Sequence, residues 1–336
     1  MKLIIADPQS RLFCLFTGYL LPFLVFPPIT LLALKYIWPN ITETQYGASI
    51  ASQCAAGAPL KLKYTGHPGV DDQLCIVVAF FHHSLQPISF PYTKHFVLNL
   101  APIAAFPFIE AARSGRPIIL SSIPVTIMWM ACQLVTGGVT LPIYWAFFLA
   151  SGALRPGKVA VSYTQATAFA LVAGFLAPSI AMLKYDDPWL IALWQPFPVL
   201  VFIVQRLLIF LGPASSKPSP RAIQGLYAFT FLISVVPHIG FIWSHFGSWK
   251  ELYHAFAPFV TVAGQAINDD AAALNFLQWD GVFIFGASLL STLWFARDFS
   301  EVAALIVWDV VGTVFLGPGA TLSAVYAWRE GRVGSV

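Results

Sequence analysis

Apolar runs near the ~20 residues that a membrane-crossing helix needs follow one another along this chain, from about Leu12–Leu34 to Phe299–Trp328. Hydrocarbon offers no partner to a backbone amide, so only helices and closed barrels can cross it. The sequence lacks the evenly spaced, alternating ten-residue segments of an outer-membrane barrel. The expectation is therefore an all-α polytopic transmembrane helical bundle of about nine or ten spans, one integral-membrane domain over residues 1–336. With 58% hydrophobic and 10% charged residues, the chain lies far from soluble averages of about 25% charged.

Hydrophobicity drops over 36–70, which predicts one long loop, with a re-entrant or interfacial piece as the alternative, and the Gly-Pro-Ala-Ser-Ser-Lys-Pro-Ser-Pro stretch at 212–220 is linker-like. Thr136-Gly137-Gly138 separates two apolar runs so briefly that they should form a tight hairpin. Trp249–Val262 mixes aromatics with Lys250, Glu251 and His254, as an interfacial helix does. Pro237 is expected to kink the helix over 223–243. The first helix reads as a retained anchor, because Met1–Gln9 has no small-residue cleavage site. Asn40-Ile41-Thr42 matches a glycosylation acceptor, a pattern common by chance.

A net charge of +3 with no basic tract excludes nucleic acid as an expected partner. Cys14, Cys54, Cys75 and Cys132 show no paired spacing for zinc or redox chemistry and read as small buried hydrophobes. Among ten assumed spans, seven Lys and Arg (2, 11, 94, 184, 250, 329, 332) fall on the side of the termini and the other eleven of the eighteen opposite. That asymmetry leaves the orientation open.

Chemistry centres on residues 268–313, where two Trp-Asp pairs, Trp279-Asp280 and Trp308-Asp309, lie inside apolar runs of a chain with 15 acids in all. An acid at bilayer depth costs roughly 2.5–3.5 kcal/mol and marks a functional site by default. A carboxyl in a dry pocket is favoured neutral and can then donate a proton. Asp280 has Phe276, Leu277, Phe283 and Ile284 as helical neighbours. Asp309 has Gly312 and Thr313 one turn on, the first leaving space and the second able to orient its carboxyl. For both, a hydrogen bond that merely glues helices is the competing role. Asp269 and Asp270 stand where helices favour acids, as do Asp71 and Asp72. Glu110 has Arg113 three residues on, the mark of a helix end at the interface. His82 and His83 cannot share one helix face as a metal pair.

No phosphate loop, zinc signature or nucleophile elbow is present. Asn268-Asp269-Asp270 has no second Asp-rich partner, which disfavours Mg²⁺–diphosphate chemistry. Proton chemistry remains, and one candidate is proton-initiated cyclisation of an isoprenoid, with aromatic faces stabilising the cations.

Tyr64-Thr65-Gly66, Val70-Asp71-Asp72, Phe80-Phe81, Phe108-Ile109-Glu110-Ala111-Ala112-Arg113, Gly137-Gly138-Val139-Thr140-Leu141-Pro142-Ile143-Tyr144-Trp145 and Asn275-Phe276-Leu277-Gln278-Trp279-Asp280 resemble, in order, the integral-membrane terpene cyclases of fungal meroterpenoid pathways, especially the larger ascofuranone and macrophorin type. The resemblance implies metal-independent cyclisation of a farnesyl chain on an aromatic or quinone head, in the endoplasmic reticulum membrane. It also implies that Glu110, Tyr144, Trp145 and Asp280 line the site. Depth selects Asp280 as the donor and Asp309 as its partner, with Phe276, Phe283 and Trp279 as cation stabilisers. Asn275, Trp308 and His83 complete the residues expected to meet substrate. The expected partners are a prenylated small molecule and the bilayer, with no cofactor, metal or obligate protein partner. Two rivals are a proton-coupled transporter of a hydrophobic solute, with Asp280 and Asp309 as relay groups, and an assembly factor in which the acids only pack.

Overall fold

The computed structural model describes residues 16–152, 157–212 and 217–333. The expectations for Met1–Gln9 and Cys14, and for parts of the loops after Leu154 and Leu211, lie outside these residues. The described residues are helical, with one isolated bridge between Ala160 and Pro218 and no strand. Five helical stretches are long and apolar enough to cross a bilayer: 18–42, 161–185, 220–244, 269–295 and 299–316. A sixth is a pair bent by 61°. The nine or ten spans expected thus include shorter pieces that do not qualify singly.

The chain enters α1 (Leu21–Ile37) through a π turn and continues into two short helices, α2 (Pro39–Thr42) and α3 (Tyr46–Gln53). The expected long loop is therefore structured. Its cysteines correct the sequence reading, since Cys54 and Cys75 form a disulfide across 21 residues; local spacing carries no sign of a bond made by tertiary contact. Asp71 closes the loop by accepting from Thr65 N (2.7 Å), Thr65 Oγ1 (2.8 Å) and Gly66 N (3.1 Å). Asn40 is fully buried, its amide nitrogen donating to Tyr36 O and Ile37 O at 3.0 Å, so the glycosylation pattern is spent on packing.

Next, α4 (Pro68–Ser84) takes the place of the expected second span, but both its ends meet one face of the molecule. Its start is tied to the loop by Asp71 and its middle by Cys75. Near its end, His83 binds Asp270 at 2.8 Å, at the start of a later helix whose Asp269 accepts from Ser49 in α3 at 2.5 Å. A helix carrying two Asp and two His lies across the bundle end more cheaply than it spans.

From that face α5 (Phe90–Asn99) and α6 (Ala101–Ala111), broken at Leu100, descend to the other. There α7 (Ser122–Val135) and α8 (Gly137–Ala150) turn back on Thr136 alone, whose φ is +106°. Fourteen residues apiece give about 21 Å, short of the ~30 Å hydrocarbon core. Their outer ends meet where Ser114 N donates to Lys158 O at 3.1 Å. Their tip reaches mid-bundle, where Thr30, in the middle of α1, donates to Val139 O at 3.1 Å. The expected hairpin exists, with arms too short to count singly as spans.

After α9 (Val161–Leu171), a π turn and α10 (Ala177–Tyr185) come α11 (Pro188–Trp194) and α12 (Phe197–Leu211), which form the bent pair. Then α13 (Pro220–Ser244) runs as one helix through Pro237, and α14 (Trp249–Phe256) has no buried residue, as an interfacial helix should. Ser219, Ser248 and Asn268 cap α13, α14 and α15 (Asp269–Thr292) by accepting free N-terminal amides, the usual role of such residues. Last come α16 (Phe299–Leu316) and α17 (Pro318–Val333), separated at Gly317, where the expected tenth helix folds back. In α16 only Leu305 and Gly312 are buried, leaving an apolar surface for lipid.

Candidate active site

Asp280 lies eleven residues into α15, about 17 Å along its axis, and is buried. The hairpin tip meets it there: Gly138 N donates to Asp280 Oδ1 at 2.6 Å. Gly138 belongs to the first turn of α8, whose amides have no partner inside the helix and whose dipole end is positive. Close approach explains the glycine. A Cβ at Gly138 would stand 2.8 Å from Asp280 Oδ1, 2.9 Å from Phe283 Cβ and 3.0 Å from Ile37 Cδ1.

Asp280 forms part of the wall of a cavity of about 310 Å³, the lower end of the range for small-molecule sites. Phe80 and Phe81 of α4, Phe96 of α5, Trp129 of α7, Trp194 of α11 and Phe276 of α15 surround it, and Asp280 is the only carboxylic acid among its lining residues. The rings brace one another, Phe80 against Phe276 at 4.8 Å and Phe81 against Trp194 at 5.0 Å. On the outer side its lining includes Ile76 and Leu134, 44% and 56% exposed, so the cavity reaches the surface of the bundle beside α4 and α7. Such a chamber can hold an apolar chain in a folded shape, present ring faces to positive charge within about 6 Å, and deliver or receive one proton.

Of the residues singled out in the sequence, Phe276 shares this cavity with Asp280. Phe283 and Trp279 are not among its lining residues, and Phe283 packs beside Asp280 against Gly138. Trp279 stacks on Tyr36 at 4.6 Å and donates to Phe259 O at 2.9 Å. Asn275 is committed to a clasp, donating to Asn40 Oδ1 at 2.6 Å and accepting from Phe259 N at 2.8 Å. His83 caps the bundle end between Asp270 and Gln53. Trp145 donates to Ser288 Oγ at 3.1 Å in a buried ring cluster. Trp308 donates to Thr321 O at 3.3 Å near the surface of α16.

Asp309 is remote from Asp280. Its Oδ2 accepts from Thr292 Oγ1 at 2.8 Å, and Thr292 is twelve residues, about 18 Å, along α15 from Asp280. Thr292 takes the orienting part expected of Thr313, whose hydroxyl has no partner among the described residues. The space expected beside Gly312 is filled by Thr321, whose Oγ1 would be 2.7 Å from a Cβ there. A proton relay between the two acids has no geometric basis.

Glu110 belongs to a buried ionic cluster at the opposite face. Arg113 Nε donates to it at 2.6 Å, Arg329 Nη1 at 2.8 Å, and Arg116 pairs with its other oxygen, while Arg113 also pairs with Glu330. Three guanidinium groups on one carboxylate join α6, α17 and the intervening loop by charge-assisted bonds. Tyr144 packs in the same region, stacked near Phe148 at 5.8 Å, its hydroxyl unpartnered among the described residues. Sequence reasoning missed Trp129, Trp194 and Phe96 as cavity walls. Each lies in an apolar helix with nothing local to distinguish an inward ring from a lipid-facing one.

Fold and site define an all-helical membrane protein with a single acid at the base of an aromatic chamber. The chain belongs to the CtvD domain family, which it matches over residues 23–333. It is 27% identical to terpene cyclase resF of Aspergillus sclerotiorum over 300 residues, 79% of this chain and 83% of that one. It is 24% identical to terpene cyclase janA of Penicillium janthinellum, covering 80% of this chain and 81% of that one. A further relative, FAD-dependent monooxygenase verC1 of Penicillium polonicum, is 23% identical over 89% of this chain, which spans 41% of that protein. No solved structure matches.

Proposed function

We propose that the protein is a terpene cyclase of fungal meroterpenoid biosynthesis, in which Asp280 protonates the terminal epoxide or alkene of a farnesylated aromatic or quinone substrate. The observation that carries this reading is the position of Asp280, the one acid lining an aromatic cavity, with one oxygen already fixed. Gly138 N–H holds Oδ1, and in this reading Oδ2 carries the proton. As that proton leaves, charge develops on a carboxylate held at a helix N-terminus, so the fixed amide stabilises the transition state more than the ground state.

Substrate enters from the bilayer, and its chain folds against Phe80, Phe81, Phe96, Trp129, Trp194 and Phe276. Folding it before protonation supplies the orientational part of the rate. The cations that follow are stabilised by ring faces. The closing proton returns to Asp280 or to water, so the product is an isomer of the substrate. Relatives named terpene cyclases support the activity. The relative named an FAD-dependent monooxygenase, more than half of which lies outside the matched length, favours the epoxide over the alkene, since a flavin monooxygenase can install an epoxide. The Cys54–Cys75 disulfide favours placing residues 38–67 on an oxidising side of the membrane, the lumen in the case of the endoplasmic reticulum.

The test is to incubate microsomes carrying the protein with farnesylated phenols, epoxidised and not, in EDTA. Conversion to an isomer of unchanged mass that survives EDTA supports the reading, and the substrate accepted selects the route. Absence of conversion by folded protein contradicts it for these substrates.

A further inference from the structure

On the other side of α15 lies a second, larger cavity of about 830 Å³, bounded by α5, α13, α14, α15 and α16. Phe276, Asp280 and Ile284 face the first cavity, whereas Gly281, Phe285 and Leu289 face this one. Its rim is apolar and open to lipid, with Trp249 85% and Phe246 81% exposed.

Tyr92, His245 and Thr313 line it, together with a histidine pair deep in the wall. His95 and His238 are 3% and 2% exposed, and neither ring meets a carboxylate among the described residues. A charge buried without a counter-ion is costly, so both imidazoles are neutral. Their hydrogen bonds then fix both tautomers. His238 Nε2 lies 3.1 Å from Val314 O, which can only accept, so Nε2 carries the proton and Nδ1 is a lone pair. His95 Nε2 stands 2.9 Å from that lone pair and must be the donor. That leaves His95 Nδ1 as a bare acceptor, and it has no partner among the described residues. The arrangement is braced. The Phe241 ring stacks on His95 at 5.5 Å, Phe256 meets it edge-on at 5.3 Å, and a Cβ at Gly317 would stand 2.7 Å from His238 Cγ. A buried acceptor costs about 1–3 kcal/mol unless something donates to it.

We propose that this cavity is a second binding site, taking a bilayer-soluble phenol or alcohol whose hydroxyl donates to His95 Nδ1 while its apolar body lies between α14 and α15. This goes beyond the cyclase reading and does not depend on it. A prenylated phenol and a membrane sterol share the required chemistry.

The test uses the full chain in phospholipid nanodiscs with a farnesylated phenol bearing a diazirine at the end of its chain. Labelled peptides are mapped by mass spectrometry, with unlabelled farnesylated phenol, its O-methyl ether and ergosterol as competitors. Labelling is expected in 246–256 and 282–289. The free phenol should compete roughly 3- to 10-fold better than the ether, the worth of one hydrogen bond. That gap should close in His95→Phe. Gly286→Leu should weaken labelling there, since a Cβ at Gly286 meets nothing within 4 Å and the longer side chain has room to project into the cavity. Thermal unfolding of both variants at the parental temperature should report a folded protein. Competition by ergosterol equal to the phenol names a sterol as the resident, and failure to compete names the phenol. Equal competition by phenol and ether, or labelling confined to α4 and α7, overturns the proposal.

Discussion

Gly138→Ala is the sharpest perturbation of the contact on which the site is built. The added methyl would stand 2.8 Å from Asp280 Oδ1, 2.9 Å from Phe283 Cβ and 3.0 Å from Ile37 Cδ1, about 0.5–1 Å inside ordinary carbon contact distances. None of the three neighbours is the end of a long flexible side chain. Relief therefore requires the hairpin tip, α15 or α1 to shift, and overpacking of this kind costs typically 1–3 kcal/mol. The same shift moves the carboxyl relative to substrate, and misplacement by about 1 Å can cost on the order of 10²-fold in rate. The expected result is a modest fall in thermal stability together with a loss of turnover of roughly 10- to 100-fold. Gly225→Ala serves as the control, because its Cβ meets nothing within 4 Å and alanine favours a helix interior by about 1 kcal/mol. Both quantities are read on detergent-solubilised protein by thermal unfolding and by product formation. A Gly138→Ala protein with parental turnover would refute the geometry argued for Asp280.

Glu110→Gln should act on folding, since Arg113, Arg116 and Arg329 all pair with that carboxylate. Removing one partner from a buried ionic group costs about 3–5 kcal/mol, so yield and thermal stability should collapse; a stable variant with selectively lost turnover would return Glu110 to the chemistry. Cys54→Ser should lower stability by about 3 kcal/mol for a loop of this length, and in the parent Cys54 and Cys75 should resist alkylation in denaturant until a reductant is added. Phe276→Leu should keep the cavity apolar but remove a ring face, slowing cyclisation by roughly 2- to 30-fold or releasing early-quenched products, as expected for a cation–π contribution of about 0.5–2 kcal/mol; unchanged rate and product would assign that ring to packing alone.

Helix type and membrane class were legible because hydrocarbon imposes them on any run of twenty apolar residues. Asp280 was legible for the same reason, being an acid at depth. Depth, however, is one coordinate, and a site needs three. Asp309 lies equally deep in sequence terms, yet Thr292 holds it elsewhere in the bundle. Glu110 reads as a helix end, whereas its partner Arg329 comes from 219 residues away. The hairpin arms appeared as two full spans because a run's hydrophobicity does not reveal where its helix stops. α4 appeared as a span because its His and Asp residues find partners, Asp186 and Asp270 among them, only in the folded chain. The Cys54–Cys75 bond and the ring walls from Trp129 and Trp194 are likewise products of tertiary contact.

The most direct test of the central claim compares Asp280→Asn with Asp309→Asn in the same microsomal assay. Asparagine at 280 keeps an oxygen to accept from Gly138 N–H, so the fold is preserved while the proton is lost, and general-acid catalysis is worth about 10²–10⁴-fold. Asp280→Asn should lose at least 10²-fold in cyclised product at parental stability, and Asp309→Asn should retain turnover. An active Asp280→Asn protein, or turnover lost in Asp309→Asn and kept in Asp280→Asn, would contradict the assignment of the proton donor.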